Sequence, residues 1–294
     1  MLQGKNYKIH VSAKHRFWDL HLRETFQYRD LIMLFVKRNF VTGYKQTLLG
    51  PAWAVIDPLF NTFVYTIVFG GLAGLPTSDI AGGDILIPSF LFYMAGSICW
   101  SYFSGTLNAT SYTFISNSGT MGKVYYPRLV APFSTAISHL ISFGIQMAMY
   151  VLVYLFYIIK GGYDLKITPW LLLFPVCIIQ MMLLSIGIGI IVSSMTTKYR
   201  DLNRVVSLLM TLWRYASPIA YGLVLVTEQW SEKLVAIYML NPFTSIVTTF
   251  RYALFGSGYF SPLYYGISWA FTIILFFVGL IMFSKIERTF MDTI

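Results

Sequence analysis

Charge is scarce in this chain, and acid is scarcer than base. Only 11% of its 294 residues are Asp, Glu, Lys or Arg, with 12 acids against 21 bases. Residues 85–122, 129–159, 167–197 and 252–284 contain none of the four. Runs of that length exclude a soluble domain, whose surface carries charge throughout. Cysteine is nearly absent too: Cys99 and Cys177 both lie inside apolar runs, which excludes a disulfide framework. The histidines, His10, His15, His21 and His139, show no metal-ligand spacing with a second His, Cys or carboxylate, so no metal site is expected. Residues 1–30 are polar and of mixed charge, without the short apolar core or small-residue cleavage site of a secretory leader.

Hydrophobic length is what the chain has instead. Its residues are 56% hydrophobic and 18% aromatic. A helix needs about 20 apolar residues to cross the ~30 Å hydrocarbon core. Six segments qualify, at about 48–73, 86–112, 131–159, 169–195, 205–226 and 263–284. The expected fold is an all-α integral membrane protein with six transmembrane helices. Residues 1–45 are expected to form a cytoplasmic tail and an amphipathic interface helix, and residues 46–294 the six-span domain. No internal repeat is visible, which weighs against a pseudo-symmetric secondary transporter.

The net charge of +9 is not spread as a nucleic-acid surface would need, and no nucleic-acid partner is expected. Nine bases fall in the first 45 residues, from Lys5 to Lys45. Others pair or cluster as Lys123 with Arg128, as Lys198, Arg200 and Arg204, and as Lys285 with Arg288. In a six-span topology all of these share one side, and the other side keeps Lys160, Lys166, Lys233 and Arg251. That is 16 against 4, with Arg214 left inside a helix. The positive-inside rule then predicts both termini in the cytoplasm.

Local patterns refine this outline. Over residues 15–38, Trp18, Leu22 and Phe26 recur at i, i+4 and i+8, with Arg16, Arg23 and Arg29 as a basic face. This predicts a helix lying along the membrane, the alternative being a cytoplasmic helix packed on protein. Pro51 and Pro58 bend the first span, with Asp57 between them either as a functional carboxylate or as a solvated one near the interface. Residues 113–130 form a basic loop between spans two and three. Residues 227–257 are amphipathic and divided by Asn241-Pro242, which predicts a re-entrant or surface hairpin on the outer side.

Catalytic machinery is thin. Outer-side acids (Asp79, Asp84, Asp164, Glu228 and Glu232) are scattered over three loops, so no catalytic residue is assigned. The stretch SNSGTMGKV (116–124) fails the phosphate-loop pattern: Asn117 stands at the first-glycine position and Val124 follows Lys123. Any ATP-driven step therefore needs a nucleotide site on another polypeptide.

Several segments, in order, resemble a known family. They are YKQTLLGPAWAVIDPL (44–59), GKVYYPRLVAP (122–132), YRDL (199–202) with SPIAY (217–221), NPFTSIVTTFRYALFG (241–256) and KIERTFMDTI (285–294). Together they are similar to the membrane (permease) subunit of type-2 ATP-binding-cassette polysaccharide exporters, the Wzm/TarG-like proteins of O-antigen, teichoic acid and capsule export. The resemblance covers roughly residues 20–294. One departure is Asp57, where relatives carry Asn or Gln.

The resemblance implies a homodimer in the bacterial cytoplasmic membrane, joined by two cytoplasmic ATPase subunits that hold ATP and Mg, with no cofactor on this chain. The cargo it implies is a polysaccharide on undecaprenyl pyrophosphate, O-antigen favoured. Gly122, Lys123, Tyr125, Tyr126, Pro127 and Arg128 become the segment that couples to the ATPase. Arg38, Lys45 and Arg204 become pyrophosphate contacts, since phosphates recruit Arg and Lys through charge-assisted hydrogen bonds. Spans one and five would line a tunnel, with Trp53, Phe60, Phe63, Trp213, Tyr215 and Tyr221 as its rings. Trp230, Asn241, Pro242 and Arg251 become an outer gate. The competing readings are an exporter of drugs or small lipids, a membrane enzyme of glycan assembly, and a passive channel.

Overall fold

The structure, a computed structural model, describes residues 22–72, 87–121, 126–161, 168–196 and 201–290. Among these residues all regular structure is helical. A bilayer demands this of a single segment, because its backbone donors and acceptors have no water to pair with. The chain opens with α1 (Leu22–Gln27) and α2 (Arg29–Tyr44). A turn at Gly50–Ala52 leads into α3 (Trp53–Tyr65), which continues as a wide π-helical stretch over Thr66–Leu72. Then follow α4 (Ser89–Ser111), α5 (Thr113–Met121), α6 (Val130–Ile159) and α7 (Leu173–Thr196). The last third holds α8 (Leu202–Tyr215), α9 (Leu223–Gln229), α10 (Glu232–Met239), α11 (Pro242–Phe255) and α12 (Pro262–Phe290).

Among the described residues, four segments are long and apolar enough to cross a membrane: Gly50–Leu72, Val130–Ile159, Pro169–Thr196 and Pro262–Lys285. Helix α4 has the length, 23 residues, but its Ser, Thr and Asn side chains dilute its apolarity and most of it is sheathed by other helices. The expected fifth span, 205–226, differs most. Helix α8 ends at Tyr215, residues Ala216–Gly222 turn, and α9 begins only at Leu223. Pro218 explains the stop, since proline lacks the donor a helix needs and disfavours helical geometry at Ser217 before it. At 14 residues and about 1.5 Å each, α8 is about 21 Å long, short of the hydrocarbon thickness.

Helices α4 and α7 form the centre, with α6, α11 and α12 packed around them and α3 laid on α4. Small residues set the closest approach. A Cβ on Gly187 of α7 would lie 2.8 Å from the Phe276 backbone of α12, and one on Gly279 of α12 would lie 2.6 Å from the Gly187 carbonyl oxygen. Gly189 meets Thr110 of α4 at 2.6 Å in the same sense. Between membrane helices this is how contact is won, because lipid tails are as apolar as leucine and only tight packing distinguishes a neighbour. Rings fill the remaining space, with Phe103 against Phe243 at 4.6 Å and Phe114 stacked on Phe283 at 4.6 Å.

The N-terminal helix departs from the expected 15–38. Arg16 and Trp18 lie outside the described residues, the helix breaks at Tyr28, and α2 runs on to Tyr44. Ile32, Phe35 and Val36 of α2 are buried against α6 and Tyr126. One face is therefore seated on protein, while Met33, Leu34 and Val41 stay exposed. The hairpin after span five also splits in character. Leu234 and Ile237 of α10 are exposed, whereas 11 of the 14 residues of α11 are buried, so the second arm re-enters the bundle. Arg251, counted on the outer side from sequence, lies inside that arm.

Candidate functional site

The flank formed by α3 and α8 is largely uncovered. On α3, Trp53, Ile56, Asp57, Phe60, Phe63, Val64 and Ile67 are exposed at helical spacing. On α8, Val205, Leu208, Leu212 and Tyr215 are exposed alongside Arg204 and Thr211. Arg204 stands in the first turn of α8, and Thr211 donates its hydroxyl to the Ser207 carbonyl at 3.0 Å. Of the six rings expected to line a channel, Trp53, Phe60, Phe63 and Tyr215 stand on this open flank. The other two are held internally. Trp213 packs edge-on against Phe103 at 5.2 Å and donates its ring N–H to Asn241 Oδ1 at 2.9 Å. Tyr221 donates to the Tyr215 carbonyl at 2.8 Å, with Tyr238 Oη 2.9 Å away. Arg214 ties the two helices of the flank, donating to Asn61 Oδ1 at 2.7 Å and lying over the Tyr65 ring.

The break after α8 is fixed by two side chains from the far end of the hairpin. Asn241 uses its whole hydrogen-bonding capacity there. Its oxygen accepts from Trp213 and from the Phe243 N–H at 3.1 Å, capping α11, and its NH2 donates to the Ala216 carbonyl and Ser217 Oγ, each at 3.0 Å. Pro242 follows at the first helical position, where a missing N–H costs nothing. Arg251 approaches from the other side. It donates to the Pro218 carbonyl at 2.5 Å and the Ile219 carbonyl at 2.7 Å, and its guanidinium lies 3.7 Å above the Phe92 ring centre. Its partners among the described residues are carbonyl dipoles and a ring, not a carboxylate. Gly96 makes the room, since a Cβ there would run into the guanidinium and the Ile219 carbonyl oxygen. Of the four expected gate residues, Asn241, Pro242 and Arg251 thus meet around the break. Trp230 is exposed and touches them only through Tyr238, at 5.8 Å between rings.

Gly122, Lys123 and Tyr125 of the expected coupling segment lie outside the described residues. Tyr126 and Arg128 are buried, and the Tyr126 ring meets Phe35 of α2 edge-on at 5.5 Å. Burial pushes the Tyr126 phenol up, against the opposing pull of Arg38 and Arg128. On the preceding side of the loop, Arg38 of α2 donates to Asn117 Oδ1 of α5 at 3.1 Å and rests over Phe35 at 4.2 Å. Helix α2 is therefore joined to the 113–130 segment on both its flanks. Lys45 and Arg204 are exposed, and no hydrogen bond links either to Arg38.

One group of residues escaped sequence reasoning. Thr135, Ser138, His139 and Ser142 of α6 fall at i, i+3, i+4 and i+7, a polar stripe on an otherwise apolar span. With Arg38, Asn39, Thr42 and Tyr44 of α2 and with Tyr112, Ser116 and Asn117, they line a cleft of about 700 Å³. The stripe is legible in the spacing, but a lone histidine with no second ligand beside it announces no chemistry from sequence alone.

Helices long and apolar enough to cross a bilayer define a membrane protein. Among the described residues no three His, Cys, Asp or Glu gather as a metal site would. Residues 30–255 match the family described as ABC-2 type transporter, and the chain belongs to that family. It is similar to an O-antigen export system permease protein RfbA of Klebsiella pneumoniae, 27% identical over 264 residues, covering 90% of this chain and 94% of that protein. The protein of the same name from Myxococcus xanthus is 26% identical over 78% of this chain and 82% of its own length. The polysialic acid transport protein KpsM of Escherichia coli is 27% identical over 87% and 93%.

Proposed function

We propose that this chain is the permease of an ATP-driven exporter that moves undecaprenyl-pyrophosphate-linked polysaccharide, O-antigen first among the candidates, across the bacterial cytoplasmic membrane. The observation that carries this reading is the similarity to O-antigen permeases over about nine-tenths of both chains. Two copies pair with their α3–α8 flanks facing each other, enclosing a passage. Exposed rings at Trp53, Phe60, Phe63 and Tyr215 suit a sliding glycan, offering apolar faces without fixed hydrogen bonds. Helix α4 completes a fifth crossing, and α8 with α9 makes a broken sixth, which leaves both termini cytoplasmic as the distribution of bases requires.

Energy comes from two cytoplasmic ATPase subunits, which hold ATP and Mg. They act on the 113–130 loop, including Lys123, Tyr125 and Arg128. The loop passes motion to α2 through Tyr126–Phe35 and Asn117–Arg38. The hairpin from α9 to α11 gates the outer end. The test is reconstitution in proteoliposomes together with an ATP-binding-cassette ATPase subunit from the same organism. ATP-dependent movement of an undecaprenyl-pyrophosphate-linked glycan is expected. ATP-dependent efflux of small drugs or free lipids, with the glycan left in place, would refute it. A chain-alone preparation that turned over lipid-linked sugar would point instead to an enzyme.

A further inference from the structure

The polar cleft beside α2 lies apart from the α3–α8 flank, and its chemistry is selective. At about 700 Å³ it falls within the roughly 300–1,000 Å³ typical of small-ligand sites. Its lining includes guanidinium, imidazole, amide and hydroxyl groups but no Asp or Glu. Such a wall suits an anion rich in acceptor oxygens. His139 sits nine residues into α6, about 14 Å along its axis, where a polar ring in a spanning helix marks function by default. The ring has no hydrogen-bond partner among the described residues. It rests on Gly105 of α4, where an added Cβ would stand only 3.2 Å from Nδ1 and Cε1.

We propose that this cleft binds a phosphate-bearing lipid headgroup, with Arg38 and His139 as its anion-binding side chains. The site deepens the export reading and rests on it, by placing the pyrophosphate between α2 and α6 rather than along the open flank. The Arg38 guanidinium donates to Asn39 Oδ1 at 3.1 and 3.3 Å and to Asn117 Oδ1 of α5 at 3.1 Å, and both partners also line the cleft. Movement of α5 with the coupling loop therefore repositions the cation that holds the headgroup. Tyr44, hydrogen-bonded to Ser142 at 2.9 Å, closes the end of the cleft and fixes α2 against α6.

The native cysteines Cys99 and Cys177 are both buried, so Thr42→Cys puts an exposed thiol at the rim of the cleft. The full-length variant, in maltoside detergent, is labelled with a maleimide in the presence of undecaprenyl pyrophosphate, phosphatidylglycerol or inorganic pyrophosphate. Undecaprenyl pyrophosphate is expected to slow labelling at least fivefold. Adding His139→Gln or Arg38→Gln should raise the protecting concentration at least tenfold, while Lys285→Gln, a base outside the cleft, should shift it less than twofold. Protection by undecaprenyl pyrophosphate alone assigns the site to the lipid-linked cargo, and equal protection by phosphatidylglycerol assigns it to bulk membrane lipid. Protection by inorganic pyrophosphate as strong as by either lipid overturns the lipid assignment. So does unslowed labelling with every probe, or protection indifferent to both substitutions. If labelling is unprotected while the wild-type chain still exports glycan, the cleft proposal falls and the export reading stands. Protection by phosphatidylglycerol without glycan export separates the two the other way.

Discussion

Replacing Arg251 by Met should unfasten the break after α8. The guanidinium satisfies the Pro218 and Ile219 carbonyls in a buried setting and has no alternative occupant there. Leaving a buried acceptor unpaired costs about 1–3 kcal/mol, so two of them cost about 2–6 kcal/mol. Removing a buried cation returns part of that, since its desolvation no longer opposes folding. The net loss expected is about 2–4 kcal/mol, and at about 2 °C per kcal/mol or more the purified chain should melt at least about 4 °C lower. Arg251→Lys keeps the charge but not the planar fork that spans two carbonyls, and should fall between. Gly96→Ala attacks the same contact from the opposite wall, by filling the space beside the guanidinium and standing 2.9 Å from the Ile219 carbonyl oxygen. The two changes share one cause, so they should be non-additive: Gly96→Ala should cost clearly less in the Arg251→Met background than alone. The assay is intrinsic tryptophan fluorescence during thermal unfolding in detergent. An Arg251→Met chain melting within about 1 °C of wild type, or fully additive losses, would refute the account.

Two further changes probe other contacts. Gly279→Ala drives a Cβ to 2.6 Å from the Gly187 carbonyl oxygen and should cost about 1–3 kcal/mol of overpacking. Gly266→Ala on the same helix meets nothing within 4 Å and should leave the melting temperature unchanged or slightly raised. Asn241→Asp keeps both acceptor contacts but loses the donors to Ala216 and Ser217. Hydrogen exchange should rise over 216–222 and stay level in the first turns of α8, and uniform exchange across both would count against the hub.

The span helices were legible because their signal is long: Val130–Ile159 fits between Arg128 and Lys160, and Pro169–Thr196 between Lys166 and Lys198. The dimensions of the fifth were not. Averaged hydrophobicity carries across Ser217-Pro218, and only the backbone shows that Leu223 starts a new helix. The burial of Arg251 was not legible for a related reason. A lone base near an outer loop reads as a solvent-facing charge, and nothing local announces the two carbonyls and the phenylalanine face that receive it. Aromatics were ambiguous one by one: Trp53 and Phe60 belong to an open stripe, Trp213 to the interior. Only spacing together with the neighbour across the helix pair separates those cases. The 113–130 segment stood out by its bases and its Tyr-Tyr-Pro run, but the contact of Tyr126 with Phe35 of α2 is a tertiary fact. The polar face of α6 is readable in the spacing of Thr135, Ser138, His139 and Ser142, but the α2 residues that complete its cleft are brought there only by the fold.

The glycine contact between α7 and α12 has a mechanical corollary. Two long helices that touch backbone to backbone at Gly187 and Gly279 cannot roll or slide without a steric penalty, so the pair behaves as a stiff spine. Whatever shape change accompanies a transport stroke must then be taken up by elements outside that spine, the proline-containing α3 and the truncated α8.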